Sequence, residues 1–404
     1  MRSIAIIFER IGPYHFARLR AAGAHFKLVA LEVLARDTTY AWDPVPGSAG
    51  FERRVLFADP AGKAPSVGQV RRQVQAALSE LQPAAVAVPG WSEPHALAAV
   101  DWCAHRRVPA LVLSETTAWD EPRQAWKEYV KRRCVRRFSA GFVGGRPHQD
   151  YLADLGLPRV RTALGYDAVD NDHFARGAAA ARALAAAQRP PWSLPGQFFL
   201  ASARFVEKKN LARLLEAYAQ YRQRATGSGG SEPGALWSLV VLGDGPLRVP
   251  LEGQVARLGL KTAVHLPGFK QYPELPAYYG LAGAFVHAST TEQWGLVVNE
   301  AMAAGLPVLV SNRCGCARDL VEPARNGFTF DPLNVAELAG RMAQIAAPAC
   351  DREALGRRSR EIIAQWGPEA FARGLSQAVE TALAVPVPQP GLFDRLLLQA
   401  LLRR

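Results

Sequence analysis

Short apolar runs alternate with longer amphipathic segments along this chain. Ser3–Phe8, Phe26–Leu31, Arg54–Phe57, Ala84–Val88, Ala110–Leu113 and Gly141–Val143 have the length of strands. Most lack the polar alternation of a sheet with one wet face, which predicts strands covered on both sides. Between them Val67–Leu81, Pro94–His105, Arg123–Phe138 and His148–Leu155 repeat apolar residues at helical spacing. A further helix opens at Pro13, a residue suited to a first helical turn. Strand and helix in this rhythm predict an α/β domain built on a doubly wound parallel sheet.

The rhythm breaks between Phe174 and Gly196, an Ala- and Arg-rich piece ending Arg-Pro-Pro-Trp-Ser-Leu-Pro-Gly that reads as a linker. It resumes with strand Phe198–Ala203, helix Leu211–Arg222, a polar insertion Ala225–Gly234, strand Ser238–Leu242 and helix Pro246–Leu258. Strand Ala263–Leu266, helix Leu275–Gly280 and strand Ala284–His287 follow. Strand Gly327–Phe330 and helices Val335–Ala346 and Arg352–Gln365 close the second domain. The predicted division is therefore 1–190, 191–365 and a tail, 366–404. The tail comprises a helix from Trp366 to about Leu383, a Pro-rich spacer Val385–Gly391 and a basic amphipath Leu392–Arg404.

Composition narrows this picture without choosing a function. With 404 residues the chain can hold two cores, and 49% apolar and 21% charged residues are ordinary for a soluble protein. No apolar run reaches the ~18 residues of a membrane span. Ile4–Phe8 is too short for the core of a signal peptide. Five cysteines, an odd number, argue against a disulfide framework, and Cys314-Gly-Cys316 lacks a partner pair at metal-ligand spacing. A cytoplasmic protein without a metal is the expectation. The formal charge of +12 implies an anionic partner.

The chemistry concentrates in His287–Asn312, HASTTEQWGLVVNEAMAAGLPVLVSN, which reads as strand, loop, helix and strand. The helix from Gly295 stops near Gly305, and Pro307 forbids its continuation. The long loop lies at the carboxyl end of its strand, where open α/β sheets bind ligands. The amides of Gly295, Leu296 and Val297 would be donors at a positive helix end, suited to a phosphate or diphosphate. Glu292 and Glu300 are acceptors suited to the vicinal hydroxyls of a sugar. Two glutamates eight residues apart mean little alone, because the chain has 36 acidic residues.

The whole stretch Glu292-Gln-Trp-Gly-Leu-Val-Val-Asn-Glu300-Ala-Met-Ala-Ala-Gly-Leu-Pro-Val is more specific. It resembles the donor-binding signature of retaining glycosyltransferase family 4. The resemblance implies the GT-B fold, two Rossmann-like doubly wound domains facing each other across a cleft, with the last helix crossing back to the first domain. Arg204 and Lys209, five residues apart after the first strand of the second domain, match the family's pair of cations for the donor diphosphate, with Lys208 as a competitor. Leu242-Gly243-Asp-Gly-Pro246 resembles the next family turn, and Pro267-Gly268-Phe269 the turn lining the base pocket. The implied reaction moves a sugar from a nucleoside diphosphate to an acceptor hydroxyl with retention. Arg204, Lys209 and Glu292 would carry it, without cofactor or metal. Gly243, Gly268, Phe269, Gly295, Leu296, Val297 and Glu300 would bind the donor.

The first domain agrees less. The family's Gly-rich first loop is represented only by Gly12-Pro-Tyr-His15, and no His follows the strand ending Leu113-Ser-Glu115. Gly12, His15, His95 and Glu115 are the candidates for the acceptor side, each with a structural hydrogen bond as the alternative. Another GT-B enzyme, an epimerase or phosphorylase, and a non-catalytic binding or scaffold subunit are the competing functions. Arg123–Arg137 carries seven basic residues against one acid, interleaved with aromatics. It reads either as an ordinary packed helix or as a face for an anionic membrane surface. In the second case the acceptor is lipid-linked and the protein sits peripherally on the inner face of the membrane. Nucleic acid is disfavoured, since no nucleic-acid module accompanies the charge.

Overall fold

The computed structural model describes residues 1–35, 43, 45, 47, 50–58, 64–187, 194–227 and 236–402. The chain divides into two compact units, Met1–Val169 with Trp366–Arg404, and Asp170–Gln365.

The first unit carries seven strands: β1 Ser3–Phe8, β2 Lys27–Leu34, β3 Glu52–Phe57, β4 Ala85–Pro89, β5 Ala110–Ser114, β6 Ala140–Val143 and β7 Thr162–Leu164. Their order is β3-β2-β1-β4-β5-β6-β7, and every pairing is parallel. Along β1, Ile4, Ile6 and Phe8 enter one buried cluster while Ala5 and Ile7 enter another. Both faces of the sheet are thus dry, which is why β1 reads as an unbroken apolar run. Helices Val67–Leu81, Pro94–Arg106, Ala125–Val135 and Arg146–Asp154 follow β3 to β6. The opposite face is closed by Pro13–Ala22 and by Pro368–Ala384, whose Phe371, Leu375 and Val379 are buried there.

The second unit repeats the plan with β8 Phe198–Ser202, β9 Ser238–Leu242, β10 Val264–Gly268, β11 Ala284–His287, β12 Val308–Ser311 and β13 Gly327–Phe330. The order β10-β9-β8-β11-β12-β13 is again wholly parallel. Strand order reverses between β8 and β11, and such switch points are where open α/β sheets bind ligands.

Two expectations are corrected. Most of the expected linker from Phe174 is helical: Asn171–Ala187 is one helix, and the first boundary falls at Val169/Asp170 rather than at 190/191. This helix packs on Leu275–Leu281 through small residues, which the apolar pattern does not register. A Cβ at Gly177 would stand 2.5 Å from Pro276, and one at Gly280 2.7 Å from the Ala178 carbonyl. Residues 188–193 of that linker and 228–234 of the polar insertion lie outside the described residues. The helix expected to end at Arg222 continues to Gly227.

Candidate functional site

Four loops at the carboxyl ends of β8, β9, β10 and β11 hold the second-unit residues. The β8 loop is pinned by the Gly-Asp-Gly-Pro turn after β9. Phe205, fully buried, donates its amide to Asp244 at 2.8 Å and accepts from the Leu247 amide at 3.1 Å. Gly243 has φ +120°, and a Cβ there would lie 1.9 Å from the Ala203 carbonyl oxygen. Only glycine tolerates both the φ and the approach. Gly243 therefore shapes the loop that presents the exposed Arg204. Its amide bonds the Gly268 carbonyl at 3.0 Å, linking the β9 turn to the β10 turn, where Phe269 is partly exposed.

The β8 and β11 loops are tied together by Asn210. Held at φ +56°, a backbone region that Asn tolerates better than most residues, it donates to Ala288 O at 3.0 Å and Pro332 O at 2.8 Å. Thr290 donates to the Lys208 carbonyl at 2.9 Å. This register turns the Lys209 side chain, not the exposed Lys208, onto the Glu292 carboxylate. Glu292 Oε2 also lies 3.2 Å from His287 Nε2 and 3.2 Å from Ser289 Oγ. Burial alone would raise the Glu292 pKa. The hydrogen bond from His287 and the charge of Lys209 reverse that and hold the carboxyl well below its ordinary range. Burial also lowers the His287 pKa, so this imidazole is neutral near pH 7.

Gly295, at φ +104°, opens the helix Leu296–Ala303, whose first-turn amides have no partners within the helix. Trp294, only 1% exposed, locks the loop by donating to Asn299 Oδ1 at 2.9 Å. Glu300 lies one turn inside and is fully buried, its Oε2 receiving the Tyr279 hydroxyl at 2.5 Å. The geometry thus gathers Arg204, Lys209, Glu292, Gly243, Gly268 and Gly295 on adjoining loops, and sets Glu300 deeper. Cys314 and Cys316 are buried beneath the same loop, a Cβ on Gly295 lying 3.6 Å from Cys316 Sγ. Among the described residues no three His, Cys, Asp or Glu side chains converge as metal ligands do.

The first-unit candidates do not form such a group. His15 accepts the Gly12 amide on Nδ1 at 3.3 Å and lies 4.5 Å from the Phe8 ring. Burial, then Arg18, lowers its pKa to about 3. His95 is buried within Pro94–Arg106, and burial lowers its pKa to about 4. Glu115 lies beside Asp167, a fully buried carboxyl pushed well up by burial and by the charge of Glu115. Arg18 Nη2 stands 3.7 Å from Asp167 Oδ1, and its Nε donates to the Ala168 carbonyl at 2.8 Å.

Sequence reasoning missed Arg18, Asp167, Asn210, Tyr279, His287 and Ser289. His287 had a signal, being the last strand residue before the signature loop. Arg18 and Asp167 had none, because they meet only through the fold.

A family model described as glycosyl transferases group 1 matches residues 186–362. The chain is 30% identical to a GDP-mannose-dependent alpha-(1-6)-phosphatidylinositol monomannoside mannosyltransferase of Mycobacterium tuberculosis, over 61% of this chain and 64% of that protein. It spans less than two thirds of the length of the curated relatives it matches. Among solved structures, sucrose-phosphate synthase of Thermosynechococcus elongatus superposes with a TM-score of 0.73 at 19% identity, covering 95% of this chain and 100% of that one. Anabaena HepE in complex with UDP-glucose gives 0.68 at 18% identity, over 94% of this chain and 100% of that one. These likenesses show the fold, the two-unit GT-B type.

Proposed function

We propose that this chain, which belongs to the glycosyl transferases group 1 family over residues 186–362, moves a sugar from a nucleoside diphosphate to an acceptor hydroxyl with retention at the anomeric carbon. The observation that carries the reading is the Lys209–Glu292 pair at the β8/β11 switch point, beside the first turn of Leu296–Ala303. In this reading Arg204, Lys209 and the helix amides take the donor diphosphate. Glu292 and Glu300 accept from sugar and ribose hydroxyls. The bond from the anomeric carbon to the diphosphate oxygen breaks and a bond to the acceptor oxygen forms. The acceptor proton passes to the departing phosphate. The cations stabilise charge that develops on the leaving oxygen, a role that needs no metal. The bound UDP-glucose of the HepE structure supports a nucleotide sugar as donor class.

The test is turnover of UDP-, GDP- and ADP-sugars with trial acceptors in EDTA, with the product anomer read by NMR. Retention without added metal is expected, and an inverted product or strict dependence on Mg²⁺ or Mn²⁺ overturns the reading. Interconverted or phosphorolysed sugar nucleotides would point to the epimerase or phosphorylase. Binding without turnover would favour a non-catalytic subunit.

The acceptor is lipid-linked in this reading, and an anionic bilayer is the partner surface. Its support is one face of the first unit, where helix Leu392–Leu401 lies against Ala125–Val135. Leu398 and Leu402 enter the core, whereas Leu392, Phe393, Leu396, Trp126 and Tyr129 remain 50% to 77% exposed. The tail leucines thus divide between the core and the exposed face. Arg133 bridges the helices, its Nε 2.6 Å from Asp394 and its guanidinium 5.0 Å over the Phe393 ring. Arg132, Arg136, Lys127 and Arg395 add charge around the apolar centre, each worth about 1 kcal/mol near an acidic bilayer. None of the described helices is long and apolar enough to cross a membrane. Co-sedimentation should require anionic vesicles and weaken in salt, and a wild type left in the supernatant at low salt overturns this part.

A further inference from the structure

The Glu292 carboxylate is held by one oxygen. Oε2 takes the Lys209 ammonium, His287 Nε2 and Ser289 Oγ. Among the described residues, no donor reaches Oε1. One carboxylate oxygen offers about two lone-pair directions, so three donors on Oε2 exceed its needs. One can leave without stranding the charge.

The three differ in freedom. His287 is the last residue of β11 and is 2% exposed, and Ser289 is fully buried. The residue between them is fixed by the Asn210 amide. Lys209 carries its ammonium on a flexible four-carbon stem and is the donor able to move.

We propose that His287 and Ser289 are positioning residues that hold Glu292 by Oε2. Lys209 then passes from this carboxylate to an incoming phosphate while Oε1 stays directed at a sugar hydroxyl. The identity of the phosphate rests on the glycosyl-transfer reading; the clamp does not. Without the clamp, departure of Lys209 would leave an unpaired carboxylate in a half-buried site, which is costly. A neutral imidazole suits the role, since its N–H holds the anion without adding a second positive charge to repel Lys209. The hydrogen bond from His287 is the foremost of the influences keeping the carboxyl low, against the opposing effect of burial. Among the described residues, the remaining titratable group facing Glu292 is Cys314, whose buried thiol is pushed up and stays protonated.

The test compares His287→Leu with His287→Gln, which retains an N–H donor. The Glu292 carboxyl carbon is followed by NMR in the free protein, assigned with Glu292→Gln. His287→Leu should raise its pKa by about one unit or more, and His287→Gln should restore most of the shift. Where turnover is measured, His287→Leu should lower kcat about 10- to 100-fold with little change in donor KM, and His287→Gln should recover most of it. An unmoved carboxyl in His287→Leu, or equal impairment of both variants, overturns the clamp. Should His287→Leu fail to fold, Ser289→Ala makes the same test with a smaller expected shift. A responsive carboxyl in a protein that turns over no sugar nucleotide would leave the clamp standing and remove the glycosyl-transfer reading.

Discussion

The two sheets share a strand order around their first strand, yet their carboxyl ends differ. In the first unit the polar groups there are spent on their own loops. His15 takes the Gly12 amide, Glu32 takes the Ile11 amide and Arg53, and Asp167 faces Glu115 and the Arg18 guanidinium, 3.7 Å away. In the second unit the Leu296 and Val297 amides at the helix start and one Glu292 oxygen make no hydrogen bond among the described residues. The same topology can thus build a closed polar network or an open one. The loops, not the sheet, decide which.

The largest expected break in that comparison comes from Lys209→Ala. Loss of a cation that acts mainly in the transition state should lower kcat and kcat/KM together by about 10²–10³-fold. Steady-state kinetics checks it, and a pure KM effect would make Lys209 a binding residue only.

Acid should next act on a buried imidazole of the first unit. His95 has its pKa lowered by burial to about 4, so the unfolded chain binds the extra proton and the folded one resists it. Its contribution is intact above the unfolded pKa near 6.5 and is lost as pH falls from there towards 4. The loss is on the order of 3 kcal/mol. Denaturant melts of wild type and His95→Gln across that window should converge, because the variant lacks the titration.

Glycines sharpen the contrast further. Gly243→Ala meets the Ala203 carbonyl at 1.9 Å with φ +120°, and should cost about 2–3 kcal/mol in a chemical melt. Gly12→Ala has φ −94° and meets only His15, at 3.9 Å. It should stay within about 0.5 kcal/mol.

The smallest expected effect is that of Glu300→Gln, which keeps an acceptor for Tyr279 and should weaken donor binding by about 1–2 kcal/mol. Unchanged affinity in calorimetry would remove Glu300 from the donor site.

Strands buried on both faces were the most legible part of the chain. Ser3–Phe8, Ser238–Leu242, Ala284–His287 and Gly327–Phe330 occur with the expected bounds, as do helices Val67–Leu81 and Val335–Ala346. Each combines an apolar run or stripe with a clear stop. Thr162–Leu164 escaped notice because three residues beside Arg159 and Arg161 carry too little apolar signal. Helix Asn171–Ala187 was hidden because its contact with Leu275–Leu281 runs through glycine and alanine. At the site, residues carried by one contiguous motif were readable as candidates. The pairing of Lys209 with Glu292 and the contact of Glu300 with Tyr279 were not, since each joins separate segments of the chain, and the support from His287 and Ser289, though local, depends on how the loop after β11 folds back.

Titration calorimetry of the whole chain with UDP, GDP and ADP, in EDTA, tests the central claim most directly. The account predicts that at least one binds, that Lys209→Ala weakens it about tenfold or more, and that His15→Ala leaves it unchanged. Absence of binding by all three, or binding lost in His15→Ala and kept in Lys209→Ala, would contradict a diphosphate site in the second unit.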